Sequence, residues 1–302
     1  MGKANLEYQT DLRACDPFRV GSITKMFVAV AALKLREAEQ LRLDDRLGTL
    51  LPATVGNIPQ ADRITVRDLL SHTSGIVDPP NESIRYQLGI VNDHRARFNL
   101  TIDQLLAGYV YGKPLHFAPG TGWRYSNANC WLLGKIIEQK TGKRLQDVLS
   151  EWIFRPLGLT GTYLDVRDDR QVVRGYADFY GNGRLFDVSY LDWADSDGEA
   201  DGGIISTAAD LAAFTGGKLL STASLAEMMK SVRLPHCPNG DCEYGLGLET
   251  WQTDLGTAYG HNGGSVGFEA NLLYFPHNRG VFVIFKNNGN GSDKSLMNRV
   301  MK

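Results

Sequence analysis

The chain has 302 residues, of which 43% are hydrophobic and 22% charged, with a formal net charge of -2. That length is enough to bury a large core shared by two lobes. The near-neutral balance offers no basic surface to nucleic acid or to an anionic membrane, and no apolar run is long enough to form a transmembrane segment.

In chain order, the first strong pattern is FRVGSITKMFVAVAALKL, Phe18 to Leu35. Met26, Phe27, Val30, Leu33 and Leu41 recur at helical spacing, and Ala29, Ala31 and Ala32 permit close packing, which predicts a buried helix over 22–40. Ser22 and Lys25 stand out in it, because a buried lysine costs free energy without a partner. Met26–Leu35, preceded by Arg19 and Lys25, is the nearest approach to a secretion signal. Its polar flank and long lead-in instead place it in the mature fold, with any signal peptide outside this chain.

RLDDRLGTLLP stops that region at Pro52. ITVRDLLSHTSGI predicts a short helix, Val66 to Ser71, with Gly75 beyond it. TIDQLLAGYVYG predicts another with Thr101 as N-cap, and FAPGTGWRYSNAN is a loop. CWLLGKIIEQKTG is a helix ending at Gly142, and LQDVLSEWIFRPLG one closed by Pro156 and Gly158. STAADLAAFTGG carries a capping pattern from Thr207 to Asp210. The character then changes: YGLGLETW, GTAYGHN, GFEANLLYFP and GVFVIFKNN read as short strands, the last two joined by a hairpin loop at 276–280. Helices followed by an antiparallel meander argue an α+β fold.

Of the four cysteines, Cys130 lies in an apolar helical pattern and reads as a small buried hydrophobe, while Cys15 is uninformative. Cys237 and Cys242 flank the turn PNGD. They could close a disulfide, hold zinc with His236, or remain thiols. No fourth ligand supports zinc, and the disulfide reading, favoured here, implies an oxidising compartment.

Ser22 and Lys25, three apart, share one helix face. Ser22 also starts the helix, where backbone N–H groups favour negative charge. A serine nucleophile needs both a base within reach and donors for the oxyanion. By itself Ser-x-x-Lys is a chance pattern and serine a common N-cap. Tyr125-Ser126-Asn127 in the Gly/Pro loop and His261-Asn262-Gly263-Gly264 at a strand end add side chains where catalytic groups usually sit.

Together these residues resemble the serine β-lactamase and penicillin-binding superfamily, whose first motif is Ser-x-x-Lys. The closest resemblance is to the class C-like branch with its D-alanyl-D-alanine carboxypeptidase, D-aminopeptidase and esterase relatives. Tyr125 and Asn127 match Tyr-x-Asn, and His261 and Gly263 match His-x-Gly. RITVRDLLSHTSGI, RPLGLTGTYL, DGGIISTAADLAAF and YGHNGGSVGFEANLLYFP resemble the branch in the same order.

The resemblance implies a β-lactamase-like fold, with an antiparallel sheet flanked by helices, a mostly helical lobe, and the active site between them. It places the sheet lobe at 1–45 and 236–302 and the helical lobe at 46–235. Only 21 residues precede Ser22, so shortened N-terminal strands and a shortened C-terminal helix are expected. The catalytic candidates are Ser22, Lys25, Tyr125 and His261, with Lys25 and Tyr125 together as general base and the Lys25 cation easing the loss of the tyrosine proton. The substrate-binding candidates are Asn127, expected to hold the substrate amide and Lys25, with Gly263 and Gly264, and the N–H groups of Ser22 and Gly264 as oxyanion hole. His261 is expected to face a substrate carboxylate or the Tyr125 hydroxyl. No metal and no cofactor are implied.

Other residues have simpler readings: His72 as a hydrogen-bonded structural residue, Asp44-Asp45 as a turn, Asp201 as a loop residue, Trp123 and Tyr259 as core more than cleft. The expected activity is acyl-enzyme hydrolysis of an ester or amide carbonyl in a small molecule or peptide, of D-alanyl-D-alanine carboxypeptidase or esterase type. A class C-like β-lactamase and a non-catalytic penicillin-binding module are the alternatives. Histidine in place of the β-lactamase lysine is the reason for that ranking, being a weaker carboxylate anchor. The chain lacks room for the extra domains of D-aminopeptidases. The resemblance and the possible disulfide point to periplasmic or secreted origin.

Overall fold

A computed structural model describes residues 2–92, 100–164, 172–191, 199–233 and 243–289. Near the N-terminus, β1 (Lys3–Asn5) and β2 (Thr10–Asp11) form a hairpin. β3 (Phe18–Arg19) then leads through a 3-10 turn, Gly21–Ile23, into helix α1 (Thr24–Glu37). Ser22 therefore sits in the turn ahead of α1 and does not begin the helix. The backbone enters the turn through Gly21 at φ 52, a left-handed conformation that glycine adopts without strain.

α1 is apolar nearly all round because it is covered on nearly all sides. Ile23, Phe27, Ala29, Ala31, Leu33 and Leu35 are fully buried. Phe27 stacks on Phe214 with ring centroids 3.8 Å apart and meets Phe154 edge-on. Against one side of α1 lies the helix Asn127–Thr141, closed as expected by Gly142 in the left-handed region. The helix Val66–Ser71 is as expected, its start set by a reciprocal Thr65–Asp68 capping box. Thr101 caps Ile102–Leu105. Pro156, expected to close a helix, lies inside its last turn, Arg155–Leu157, and Gly158 at φ 66 ends it.

Two small pairings follow: β4 (Tyr176–Ala177) with β5 (Phe186–Asp187), and β3 with β6 (Ile205–Ser206). The main sheet has six strands: β7 (Val232–Arg233), β8 (Glu243–Tyr244), β9 (Glu249–Thr253), β10 (Gly256–Gly264), β11 (Glu269–Phe275) and β12 (Gly280–Lys286). They lie side by side in sequence order, as hairpin-linked antiparallel strands do. Two features differ from the expected lobes. Among the described residues, β1, β2 and β3 pair outside this sheet. The sheet also begins at Val232, because Val232 pairs with Tyr244 and Arg233 with Glu243; a two-residue strand carries no readable period.

Tyr259 and His261 point to the α1 side of the sheet, and Ala258 and Asn262 to the other. Tyr259 packs on the main core, whereas Ala258 joins a separate cluster with Leu273 and Phe275. Among the described residues, no helix is long and apolar enough to cross a membrane. Cys237, Cys242 and His236 lie outside the described residues, as does the expected closing helix near the C-terminus.

Candidate active site

Ser22 lies where the turn before α1, the Gly/Pro loop and the end of β10 meet. Lys25, one turn along, extends its ammonium to Ser22 Oγ at 2.9 Å, Asn127 Oδ1 at 2.8 Å and the Asp201 carbonyl at 2.6 Å. Three acceptors in the core explain how a lysine only 1% exposed is tolerated. Burial disfavours its charge, but the Tyr125 oxygen and the Asp201 carboxyl outweigh burial and hold the ammonium above the ordinary lysine range.

The Tyr125 hydroxyl donates to Ser22 Oγ at 2.7 Å, and Lys25 Nζ stands 4.9 Å from its ring centroid. Burial pushes the phenol up to about 12; the Lys25 cation and the Ser22 hydrogen bond pull the other way and lose. The cation eases the ionisation of Tyr125, as expected, but burial sets a larger desolvation cost against it.

The oxyanion donors are brought together by two glycines. A methyl on Gly263 would lie 1.9 Å from the Val20 carbonyl and 3.1 Å from Ser22 N, and one on Gly21 2.9 Å from Gly264 N. Only bare backbone lets the two segments meet this closely. The Asn262 N–H leaves the strand on the side away from β11, reaching Glu249 at 3.3 Å. Antiparallel backbone alternates in direction every residue, so the Gly264 N–H points the same way.

The Beta-lactamase family model matches residues 1–302. The chain belongs to the Beta-lactamase family. It is 26% identical to penicillin-binding protein 4* of Bacillus subtilis strain 168 over 304 residues, 95% of this chain and 64% of that protein. It is 32% identical over 163 residues to esterase EstB of Burkholderia gladioli, covering 52% of this chain and 41% of the esterase. The chain thus spans less than two thirds of the length of these curated relatives. Among solved structures, a D-stereospecific amidohydrolase from a Streptomyces species superposes with a TM-score of 0.82 at 30% identity. That match covers 94% of this chain and 86% of the other. The fold is β-lactamase-like, as the resemblance implied.

In this Beta-lactamase-family chain, Asn127 holds Lys25 as expected, whereas His261 differs from expectation. Asn127 is buried, its oxygen held by Lys25 and its amide nitrogen donating to Asp78 Oδ1 at 3.1 Å. It orders the site more than it reaches into the cleft. His261 is 0% exposed. Its Nε2 meets the Tyr244 hydroxyl at 2.9 Å and its Nδ1 the Asn262 carbonyl. It faces neither solvent nor a substrate carboxylate, because the alternation of β10 turns it toward the α1 side, where Tyr244 already stands. Burial and then the Lys25 cation hold it down to about 3, so it is neutral at any ordinary pH.

His72 is structural as read: Nδ1 accepts from Ser126 N and Asn129 Nδ2, Nε2 lies 3.3 Å from the Tyr244 hydroxyl, and its ring packs on Tyr125 at 4.4 Å. Asp45 accepts from Arg42 N and closes a turn. Trp123 packs against His72 and Tyr244. Asp201 does more than a loop residue: its carbonyl anchors Lys25, and its own carboxyl is raised by burial. Asp78 and Tyr244 are site residues that sequence reasoning missed. Asp78 lies just beyond SHTSGI, which is within a block that carried the resemblance, and Tyr244 opens the stretch YGLGLETW that read as a strand. Among the described residues, no cluster of His, Cys, Asp or Glu is arranged to hold a metal.

Proposed function

We propose that the protein hydrolyses an ester or amide carbonyl through an acyl-enzyme on Ser22. The observation that carries this reading is the convergence on Ser22 Oγ of the Tyr125 hydroxyl at 2.7 Å and the Lys25 ammonium at 2.9 Å. A structural serine needs no such pair, and a buried ammonium aimed at a hydroxyl favours its alkoxide form.

The two high proton affinities suggest how the proton moves. With the phenol near 12 and Lys25 above its ordinary range, both are protonated at rest. A relay then fits better than a standing base. With substrate bound, the Tyr125 hydroxyl turns its proton to the departing nitrogen or oxygen and accepts from Ser22. As Ser22 Oγ bonds to the carbonyl carbon, its proton passes to the Tyr125 oxygen, and the tyrosine's own proton passes to the departing atom as the bond from that atom to the carbonyl carbon breaks. Lys25 stays cationic and stabilises the charge developing on Oγ. The carbonyl oxygen takes its negative charge against the N–H groups of Ser22 and Gly264. Water then attacks the acyl-enzyme by the same relay in reverse, with the same proton count before and after.

The esterase and amidohydrolase among the relatives support the ester or amide class. A fluorophosphonate probe followed by peptide mass spectrometry tests the reading. The label is expected on Ser22 in wild type and is lost in Ser22→Ala. Hydrolysis of p-nitrophenyl butyrate disappears with it. Equal turnover by Ser22→Ala rejects the acyl-enzyme.

A further inference from the structure

The leaving group departs toward one identifiable end of β10. Its leaving atom has to come within hydrogen-bond reach of the Tyr125 hydroxyl. Tyr125 stands at the His261 end of the strand, its ring 6.3 Å from that of His261 and 6.5 Å from that of Tyr244. The leaving group therefore runs past His261 and Asn262. There β9 no longer covers β10: the pairing of the two strands stops at Glu249 opposite Gly260.

The group waiting at that edge is a carboxyl. Glu249 Oε2 accepts from Asn262 N at 3.3 Å and from Trp251 Nε1 at 2.9 Å. Among the described residues, Glu249 makes no ion pair, and only Oε2 accepts a hydrogen bond. Burial holds it up to about 7, although Trp251, Asn262 and Lys25 all favour its charge. Among the described residues, Lys25 is the one cation that acts on it. His261 is neutral and enclosed, and Lys25 is committed beneath Ser22 to Asn127 and Asp201.

We propose that Glu249 is the specificity-determining residue of the leaving-group side, admitting amides and esters whose departing amine or alcohol is uncharged or cationic and rejecting those that carry a carboxylate there. This rests on the acyl-enzyme reading above and narrows it. It moves the substrate class away from a carboxypeptidase, whose departing amino acid bears a carboxylate, toward amidase and esterase substrates.

The test compares 4-carbamoylphenyl butyrate with 4-carboxyphenyl butyrate, which share the acyl group and differ in leaving-group charge. The ratio of their kcat/KM values is measured at pH 8 in wild type, Glu249→Gln and Glu249→Lys, and comparison between proteins cancels their intrinsic reactivity. Removing one charge at this range is expected to raise relative use of the carboxylate substrate about tenfold or more in Glu249→Gln, and further in Glu249→Lys. A ratio unchanged in both variants overturns the proposal. Fluorophosphonate labelling of Ser22 is run on all three proteins. Normal labelling with an unmoved ratio rejects the role of Glu249 alone, whereas an unlabelled wild type rejects the acyl-enzyme reading and the proposal with it.

Discussion

Asp78 holds Asn127 in the orientation that Lys25 needs. Its Oδ1 accepts from both the backbone N and the Nδ2 of Asn127, at 3.0 and 3.1 Å, which turns the amide oxygen to Lys25 at 2.8 Å. The pair links the SHTSGI region to the start of the helix Asn127–Thr141 and fixes both walls of the cleft. Burial raises the Asp78 carboxyl, against the hydrogen bonds of Asn81 and Asn127.

Asp78→Ala leaves two buried donors of Asn127 without an acceptor, at about 1–3 kcal/mol each. Thermal unfolding should fall by several degrees and kcat/KM by about tenfold or more, since misplacing Lys25 weakens its support of Ser22. Asp78→Asn keeps a carbonyl oxygen in place and should recover most of both. Wild-type melting and turnover in Asp78→Ala would show that Asn127 orients itself.

Tyr125→Phe removes the hydroxyl and keeps the ring that packs on His72. Loss of the proton relay predicts a fall in kcat of about 100-fold to 10,000-fold with little change in melting temperature. Stopped-flow acylation of Ser22 separates the steps. If acylation keeps its wild-type rate, Lys25 alone handles the proton and Tyr125 is a wall of the cleft.

Adjacent glycines on β10 should behave oppositely. A methyl at Gly263 meets the Val20 carbonyl at 1.9 Å, whereas one at Gly264 finds nothing within 4 Å. Gly263→Ala should separate β10 from the Ser22 turn, lower stability and cost about 100-fold or more in kcat, as loss of an oxyanion donor does. Gly264→Ala should fold normally and retain turnover within about tenfold. Circular dichroism and ester hydrolysis on the two variants decide it, and equal losses would mean that close approach at Gly263 is not what sets the hole.

What the sequence showed of this site was whatever lies close along the chain. Ser22 and Lys25 are three residues apart on one face, and Tyr125 and Asn127 two apart at a helix start, so local spacing carries their geometry. Capping patterns at Thr101 and Thr207 marked helix starts for the same reason. The fate of His261 was not legible. It depends on which way β10 alternates and on Tyr244 reaching it from β8, two strands away, and registry between strands is written in no local pattern. Glu249 was invisible likewise, since its contact with Asn262 depends on where β9 stops pairing. Asp78 belongs to a loop whose packing, and not its composition, brings it under Asn127.

The last prediction concerns acid. His72 and His261 are 1% and 0% exposed and share the hydroxyl of Tyr244. Their partners assign the protons. Nδ1 of His72 accepts from Ser126 N and Asn129 Nδ2, so its proton is on Nε2, facing Tyr244. Nδ1 of His261 lies on the Asn262 carbonyl and carries the proton, leaving Nε2 to accept from Tyr244. Hydrogen bonds therefore run one way, from His72 through Tyr244 and His261 to the carbonyl, with no acceptor for an extra proton. Burial, then the Lys25 cation, holds His72 well below the ordinary histidine range and His261 down to about 3. In the unfolded chain both titrate near 6.5, so below that pH the unfolded state binds more protons and stability rises with pH. The stabilisation is complete above about 6.5 and is lost as pH falls toward the folded values, at up to about 1.4 kcal/mol per pH unit for each histidine. Urea midpoints measured from pH 7.5 to 4.5 should fall steeply on acidification, and His261→Gln, whatever its midpoint at pH 7.5, should fall less steeply. Ester hydrolysis should show no inflection between pH 5 and 8 that His261→Gln removes. Parallel acid slopes in the two proteins would mean that His261 takes up its proton in the folded state, and that its place beneath the cleft is open to water.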